Sequence, residues 1–299
     1  MNTERSQTPQ RSDLIRMGIG IIGIGSSGPL VALSTMPVAA LVFWRNFGGS
    51  LLTLPFAIRH RVDKRGLKWA IFAGVILALH FYTFFLSMRM TSVAAGTALT
   101  ALQPIFAALF IKLTGGHIHP RAWLGMFISF AGVVLISGID LNLDRRSFLG
   151  DVSAVVCAAL AAIYVMSGAK AQETLETTTY TSICYGFCAI TALPMAFFAG
   201  AELIHFSLRE WIILLGLIAG AQFLGHTMFN SVLKRVSPAV VSLIVFFEVP
   251  VAAILALIFH IGKEPTSMIV PGILLILGGC TMVIMRTRPT KATEVMLEE

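Results

Sequence analysis

Apolar positions along this chain come in long runs rather than at one helical spacing, and polar residues collect in the short stretches between them. Ten such runs can be drawn, at 16–35, 37–57, 67–88, 92–113, 121–138, 149–168, 178–199, 209–231, 238–260 and 268–286. Each is close to the ~20 residues that a helix needs to cross a hydrocarbon core. A helix that is apolar on every side has no face to offer to water, so these helices should be buried in lipid or in one another. The expected fold class is an all-α polytopic membrane protein with ten transmembrane helices, flanked by tails at 1–15 and 287–299.

Composition strengthens this expectation. The chain is 56% hydrophobic and 12% charged, where soluble domains carry about 25% charge. A net charge of +7 would suit a nucleic-acid binder, but the positions of the charges argue for a bilayer instead. With the N-terminus in the cytoplasm, 16 of the 22 Lys and Arg residues fall on the cytoplasmic side. Five fall opposite (Arg89, Arg145, Arg146, Arg209 and Lys263), and Arg45 lies inside a span. That asymmetry is the positive-inside pattern. It predicts an even number of spans with both termini cytoplasmic, in a plasma or inner membrane. The basic start lacks an obvious small-residue cleavage site, so 16–35 reads as an uncleaved first helix and not a signal peptide.

Two tempting motifs carry no chemistry. "GIGIIG" (18–23) and "GIGSSG" (23–28) fit a dinucleotide fingerprint in spelling, but that motif needs a strand before it and an acidic residue ~20 positions on. Inside a membrane helix, glycines let backbones approach closely. Cys184 and Cys188 are one turn apart but have no His or acidic partner in that run, so they read as packing and not as metal ligands. No cofactor, nucleotide or metal is expected. Without a Walker A sequence, energy for any transport must come from a gradient.

The chain also repeats itself. "WAIFAGVILALHF" (69–81) aligns with "WIILLGLIAGAQF" (211–223), setting His80 beside Gln222. "TLPF" (53–56) matches "ALPM" (192–195), Pro104 matches Pro250, Gly125 matches Gly272 and Gly132 matches Gly279. The offsets rise smoothly through 139, 142, 146 and 147. Runs one to five therefore correspond to runs six to ten, giving halves at 16–138 and 149–286 joined by an external linker at 139–148. Tandem copies with an odd number of crossings must lie in opposite orientations. Inverted repeats of this kind are typical of secondary transporters, with substrate bound near the midplane between the halves.

Ten spans in two five-span halves, a prolyl fourth helix and a glycine-rich fifth helix in each half resemble the EamA-type branch of the drug/metabolite transporter superfamily. The family's Gly-Glu element before the fifth helix has a counterpart in Gly262 and Glu264, eight residues before Gly272. In the first half His117 takes the acidic position, eight before Gly125. The resemblance implies a transporter that exports amino-acid-like or related amphipathic solutes in exchange for protons. An importer or an uncoupled facilitator is the alternative. A membrane-embedded enzyme is a further alternative, but its candidate groups, His117 with His119 and Asp140 with Asp144, lack catalytic partners.

Depth along each helix, at ~1.5 Å per residue, places Glu248, Gln222, His80 and Gln103 near mid-membrane and Arg45 somewhat nearer the outer face. Gln222, His226 and Asn230 recur four residues apart and should share a helix face. Thr97, Thr100 and Gln103 form a second face, and His80 stands beside Phe81 and Phe84. Pro104 and Pro250 free the carbonyls of Thr100 and Phe246. A wet cavity lined by spans three, four, eight and nine fits these features, with His80, Phe81, Phe84, Thr100, Gln103, Gln222 and His226 as substrate contacts. Trp44 and Tyr164 are further candidates. The same polar side chains can also simply tie helices together. Arg45 and Glu248 cannot face lipid, since a charge at a helix centre costs ~2.5–3.5 kcal/mol on the lenient insertion scale. They are candidates either for an ion pair between the halves or, in Glu248, for a proton-coupling carboxylate.

Overall fold

The computed structural model describes residues 9–137, 144–260 and 268–284, and among them every regular element is helical. The first are α1 (Arg11–Gly25), α2 (Ser27–Leu33), α3 (Val38–Ala57), α4 (Lys64–Met90), α5 (Val93–Thr100) and α6 (Gln103–Leu113). Next come α7 (Pro120–Ser137), α8 (Arg145–Ala171), α9 (Thr177–Phe198) and α10 (Leu208–Gly216). A π-helical segment (Leu217–Thr227) continues into α11 (Met228–Val232), and α12 (Pro238–Leu243) continues through a 3-10 turn (Ile244–Phe247) into α13 (Glu248–Ile258). The last is α14 (Ile269–Ile284). Gly262, Glu264, Asp140, residues 139–143 of the 139–148 linker and the 287–299 tail lie outside the described residues.

Helix starts are set by short polar side chains. Asp63 accepts from the amides of Arg65 and Gly66 at 2.9 and 3.1 Å to open α4. Asp144 does the same for α8 through Arg146 and Ser147, at 2.7 and 3.0 Å. Each cap satisfies backbone donors that the first turn leaves unpaired. The breaks within long apolar runs also have local causes. α5 ends at Thr100 and α6 restarts with Pro104 in its first turn; the 3-10 turn ends at Phe247, three residues before Pro250. In both places the proline lacks the amide that would have continued the α-helical ladder.

Seven stretches are long and apolar enough to cross a membrane: Arg11–Leu33, Lys64–Met90, Val93–Leu113, Arg145–Ala171, Thr177–Phe198, Leu208–Val232 and Pro238–Leu255. Pro120–Ile136 and Val270–Val283 are shorter apolar helices. Large apolar side chains such as Ile22, Phe56, Phe197 and Phe198 are exposed around the bundle, far beyond the patches a soluble domain leaves bare. The chain is a multi-pass membrane protein.

Close helix pairs position the interior. α4 packs on α8, α3 on α9, α7 on α14, and α1 on the π segment. Glycine makes the tightest approaches possible: a Cβ at Gly23 would lie 2.6 Å from the Gly225 amide nitrogen and 2.7 Å from the Gly220 oxygen. The glycines of the discarded dinucleotide motif therefore serve this α1 contact. Cys184 and Cys188 are fully buried in the main core between α4 and α9.

Candidate functional site

α3 carries Arg45 into the middle of the bundle, where it is wholly buried. Its Nε donates to Gln222 Oε1 at 2.7 Å and its Nη1 to Ser27 Oγ at 3.2 Å. Gln222 Nε2 in turn donates to Asn46 Oδ1 at 3.0 Å, and Asn46 Nδ2 to the Val42 carbonyl at 2.8 Å. Gly49 makes room for this chain, since a Cβ there would lie 2.8 Å from Gln222 Cγ. The flat face of the guanidinium rests on Phe81, 4.0 Å from the ring centroid, with Phe85 at 5.7 Å. Such stacking stabilises a desolvated cation by up to ~2 kcal/mol. Among the described residues Nη2 has no hydrogen-bond partner.

Beyond Phe81 lies a small cavity of about 30 Å³, lined among others by His80, Gln103, Tyr164, His226, Asn230 and Ile24. His80 Nδ1 is 3.1 Å from the Cys157 carbonyl oxygen, which can only accept, so the ring donates there. Asn230 Nδ2 donates to the Tyr164 hydroxyl at 2.8 Å, and Gln103 Nε2 to Ser242 Oγ at 3.3 Å. His226 makes no hydrogen bond among the described residues. Its ring is boxed by Phe81 at 5.0 Å, Tyr164 at 6.0 Å and His80 at 6.3 Å. Phe84 stacks on His80 at 6.4 Å. The cavity has room for one or two waters and is too small for a metabolite, so in this conformation the helices close around it.

Four of the expected substrate contacts, His80, Gln103, Tyr164 and His226, therefore line one cavity, whereas Phe81 and Phe84 do not line it and pack behind His226 and His80. Gln222 does not line it. The π segment offsets Gln222 from His226, so that Gln222 bonds across to α3 while His226 and Asn230 face the cavity. Thr227 Oγ1 accompanies that winding by bonding the Gln222 carbonyl at 3.1 Å. Thr100 is satisfied within its own helix by the Gly96 carbonyl at 2.8 Å. Trp44 lies elsewhere, its indole donating to the Leu203 carbonyl at 2.6 Å and packing on Trp211 at 5.3 Å. Sequence reasoning missed Asn46, Ser27 and Ser242. Asn46, next to Arg45 in an apolar run, was the legible one, but adjacent positions do not share a helix face and it drew no notice.

Glu248 opens α13 just after the 3-10 turn and is buried, 6% exposed. Among the described residues it makes no hydrogen bond and no ion pair. The Arg45–Glu248 bridge considered from sequence is thus not formed in this conformation, because Gln222, Ser27 and Phe81 hold the guanidinium instead.

Polar ties link helices at both ends of the bundle. At one end Asp13, 1% exposed, accepts from Arg235 Nε at 3.0 Å and from its Nη2. Lys234 pairs with Glu176 at 2.7 Å and Arg65 with Glu173 at 3.8 Å. At the other end Glu210 accepts from the Ser34 hydroxyl at 2.6 Å and the Thr35 amide at 3.0 Å. Arg89 there donates to the carbonyls of Ser34 and Met36.

Known proteins bear on this geometry. The chain aligns with the pseudopaline exporter CntI of Pseudomonas aeruginosa at 24% identity, over 83% of this chain and 87% of that one. It aligns with the transporter YxxF of Bacillus subtilis at 26% identity, over 94% and 92%. A transporter of Archaeoglobus fulgidus is 29% identical over 57% of this chain, an alignment that spans 61% of that relative's length. A solved crystal structure superposes with a TM-score of 0.72 at 17% identity, covering 92% of this chain and 96% of that one; it shares the fold. The model of the EamA-like transporter family matches residues 15–138 and again residues 148–285. This chain, a membrane transporter, belongs to the EamA-like transporter family.

Proposed function

We propose that the protein is a secondary active transporter of the plasma or inner membrane that exports small amphipathic, amino-acid-like metabolites in exchange for protons by alternating access. It crosses the membrane ten times as two inverted five-helix halves, with both termini in the cytoplasm. The two family matches support the division into halves, and so does the contact pattern. A Cβ at Gly125 would lie 2.6 Å from the Gly279 oxygen, and one at Gly132 would lie 2.5 Å from the Gly272 oxygen. Since Gly125 corresponds in sequence to Gly272 and Gly132 to Gly279, exchanging the halves turns one contact into the other. A two-fold axis in the membrane plane has that property. Pairing of α4 with α8 and of α1 with the π segment obeys the same exchange.

The observation that carries the function is a closed polar centre between the halves with two buried charges that do not neutralise each other. Aromatic rings beside His80, Gln103 and Asn230 suit a solute with both apolar and polar parts. Glu248, buried without a partner among the described residues, is the coupling carboxylate, loading a proton in one orientation and releasing it in the other. The relative that is named an exporter supports the direction.

The test is uptake into proteoliposomes of a labelled metabolite panel, with and without an imposed pH gradient, for wild type and Glu248→Gln. Wild type should concentrate a solute only with the gradient, and the variant should merely equilibrate it. If both equilibrate the solute and ignore the gradient, the protein is a facilitator and the coupling role is refuted.

A further inference from the structure

Arg45 poses a problem that the closed cavity does not solve. The guanidinium is wholly buried, yet its hydrogen-bond partners, Gln222 and Ser27, are neutral. They fix its orientation without balancing its charge. Nη2 is sealed from solvent with no acceptor among the described residues, and orphaned buried donors are expensive, more so in a charged group. Buried polar groups are nearly always satisfied, so an exception calls for an explanation. Glu248 is buried in the same interior but does not bond to Arg45. The protein holds a preoriented cation whose Nη2 amino group has no acceptor among the described residues.

The Phe81 ring links this group to the cavity wall. Phe81 lies on the guanidinium, its ring centroid 4.0 Å away, and also meets His226 of the cavity wall in a T-shaped contact at 5.0 Å. A rotation of the Phe81 side chain would merge the cavity with the Arg45 site. We infer that Arg45 is the docking group for a carboxylate on the transported solute, exposed when the Phe81 ring swings off the guanidinium. The inference rests on the transporter reading above and names the chemical group that this site selects. Guanidinium N–H groups favour carboxylate and phosphate oxygens. Charge decides between them: with Glu248 in the same interior, a carboxylate brings one further negative charge and a phosphate monoester nearly two, against a single Arg45. The cavity lining of Tyr164, Phe229 and Val245, beside the Phe81 ring on the guanidinium, adds a preference for an apolar group next to the carboxylate.

The experiment uses the full-length protein in lipid nanodiscs and follows its melting with increasing phenylacetate, N-acetyl-L-phenylalanine or L-phenylalanine, each set against its primary amide. Phenyl phosphate serves as the dianion. At least one carboxylate should raise the melting temperature of wild type where its amide and phenyl phosphate do not. Arg45→Gln should lose that affinity roughly 30-fold or more. Arg45→Lys, which keeps the charge but not the planar fork, should retain part of it. Phe81→Leu should keep the carboxylate preference and tighten it, because a large cover no longer has to move. That variant and Arg45→Lys carry the test if Arg45→Gln does not fold. The inference is overturned if no carboxylate outperforms its amide, if phenyl phosphate binds better, if Arg45→Gln keeps the preference, or if Phe81→Leu abolishes it. Transport is read separately, with the labelled carboxylate in proteoliposomes. Binding that depends on Arg45 without any crossing would refute the transporter reading alone; crossing that ignores Arg45 would refute this inference alone.

Discussion

Two adjacent glycines in α14 should respond to the same substitution with opposite signs. A Cβ at Gly279 would lie 2.3 Å from the Gly125 carbonyl oxygen, 2.3 Å from Ser129 Oγ and 2.7 Å from the Ser129 amide nitrogen. Ordinary contact begins near 3.4 Å, so α7 and α14 must part by about 1 Å. Two of the three obstacles are backbone and cannot rotate away. The third, Ser129 Oγ, is itself engaged with the Ile276 carbonyl at 3.2 Å. Overpacking typically costs ~1–3 kcal/mol, and the backbone clash puts Gly279→Ala in the upper part of that range. At roughly 2–4 °C per kcal/mol the melting temperature should fall by about 4–12 °C. Gly278 has nothing within 4 Å of its Cβ position. Gly278→Ala should therefore gain only helix propensity, about 0.5–1 kcal/mol, and melt slightly higher. A thiol-reactive fluorogenic dye reads both transitions, since all four cysteines are buried until the bundle opens. If both variants shift in the same direction, or Gly279→Ala melts with wild type, the glycine crossing is not the close contact described here.

The ties at the bundle ends give two further expectations. Removing Arg235 leaves the buried Asp13 carboxylate uncompensated, so a double-mutant cycle of Asp13→Ala and Arg235→Ala should show a coupling of about 1–2 kcal/mol; additive single effects would show that the pair contributes nothing. The Lys234 hydrogen bond holds the Glu176 carboxyl below its ordinary value of 4.5. A depressed folded-state value means stability that is present above 4.5 and lost as pH falls through the folded value. For this half-exposed pair that is under ~1 kcal/mol. The small melting difference between wild type and Glu176→Gln should hold above pH 4.5 and close below it, and a difference that grows in acid would contradict the pairing.

Some of this was legible in the sequence and some was not, for physical reasons. Long apolar runs are a property of the chain alone, and seven of them coincide with helices long and apolar enough to cross a membrane. Pro104 and Pro250 announced where the α-helical ladder would fail, since a missing amide acts locally. The π segment could not be anticipated. Its i to i+5 bonding is a minor variant that packing selects, here alongside the Gly23 backbone contact with Gly220 and Gly225. That winding divides the expected Gln222–His226–Asn230 face between two neighbours. Arg45 shows the limit most sharply. Opposite charges at similar depth suggested Glu248 as its partner, but depth says nothing about which way a helix is turned. The partners that hold Arg45 are neutral groups from the π segment and α2.

That neutrality has an energetic logic for a protein that must adopt two orientations. Breaking a buried ion pair by withdrawing one partner costs about 3–5 kcal/mol, as much as the whole gap that normally separates a major conformer from a minor one. An Arg45–Glu248 pair would deepen whichever state contained it and trap the halves there. Gln222 and Ser27 hold the guanidinium in place with hydrogen bonds of smaller net strength, while Phe81 shields its face. The charge is thereby kept desolvated and oriented but available, so a negative group on the solute has more to gain at Arg45 than an already paired guanidinium would offer. Gln222→Glu tests the trade directly. Placing a carboxylate 2.7 Å from Arg45 Nε should satisfy the cation and raise the melting temperature while slowing transport in proteoliposomes. A variant that becomes more stable and loses no transport rate would show that an unpaired Arg45 serves no purpose in the cycle.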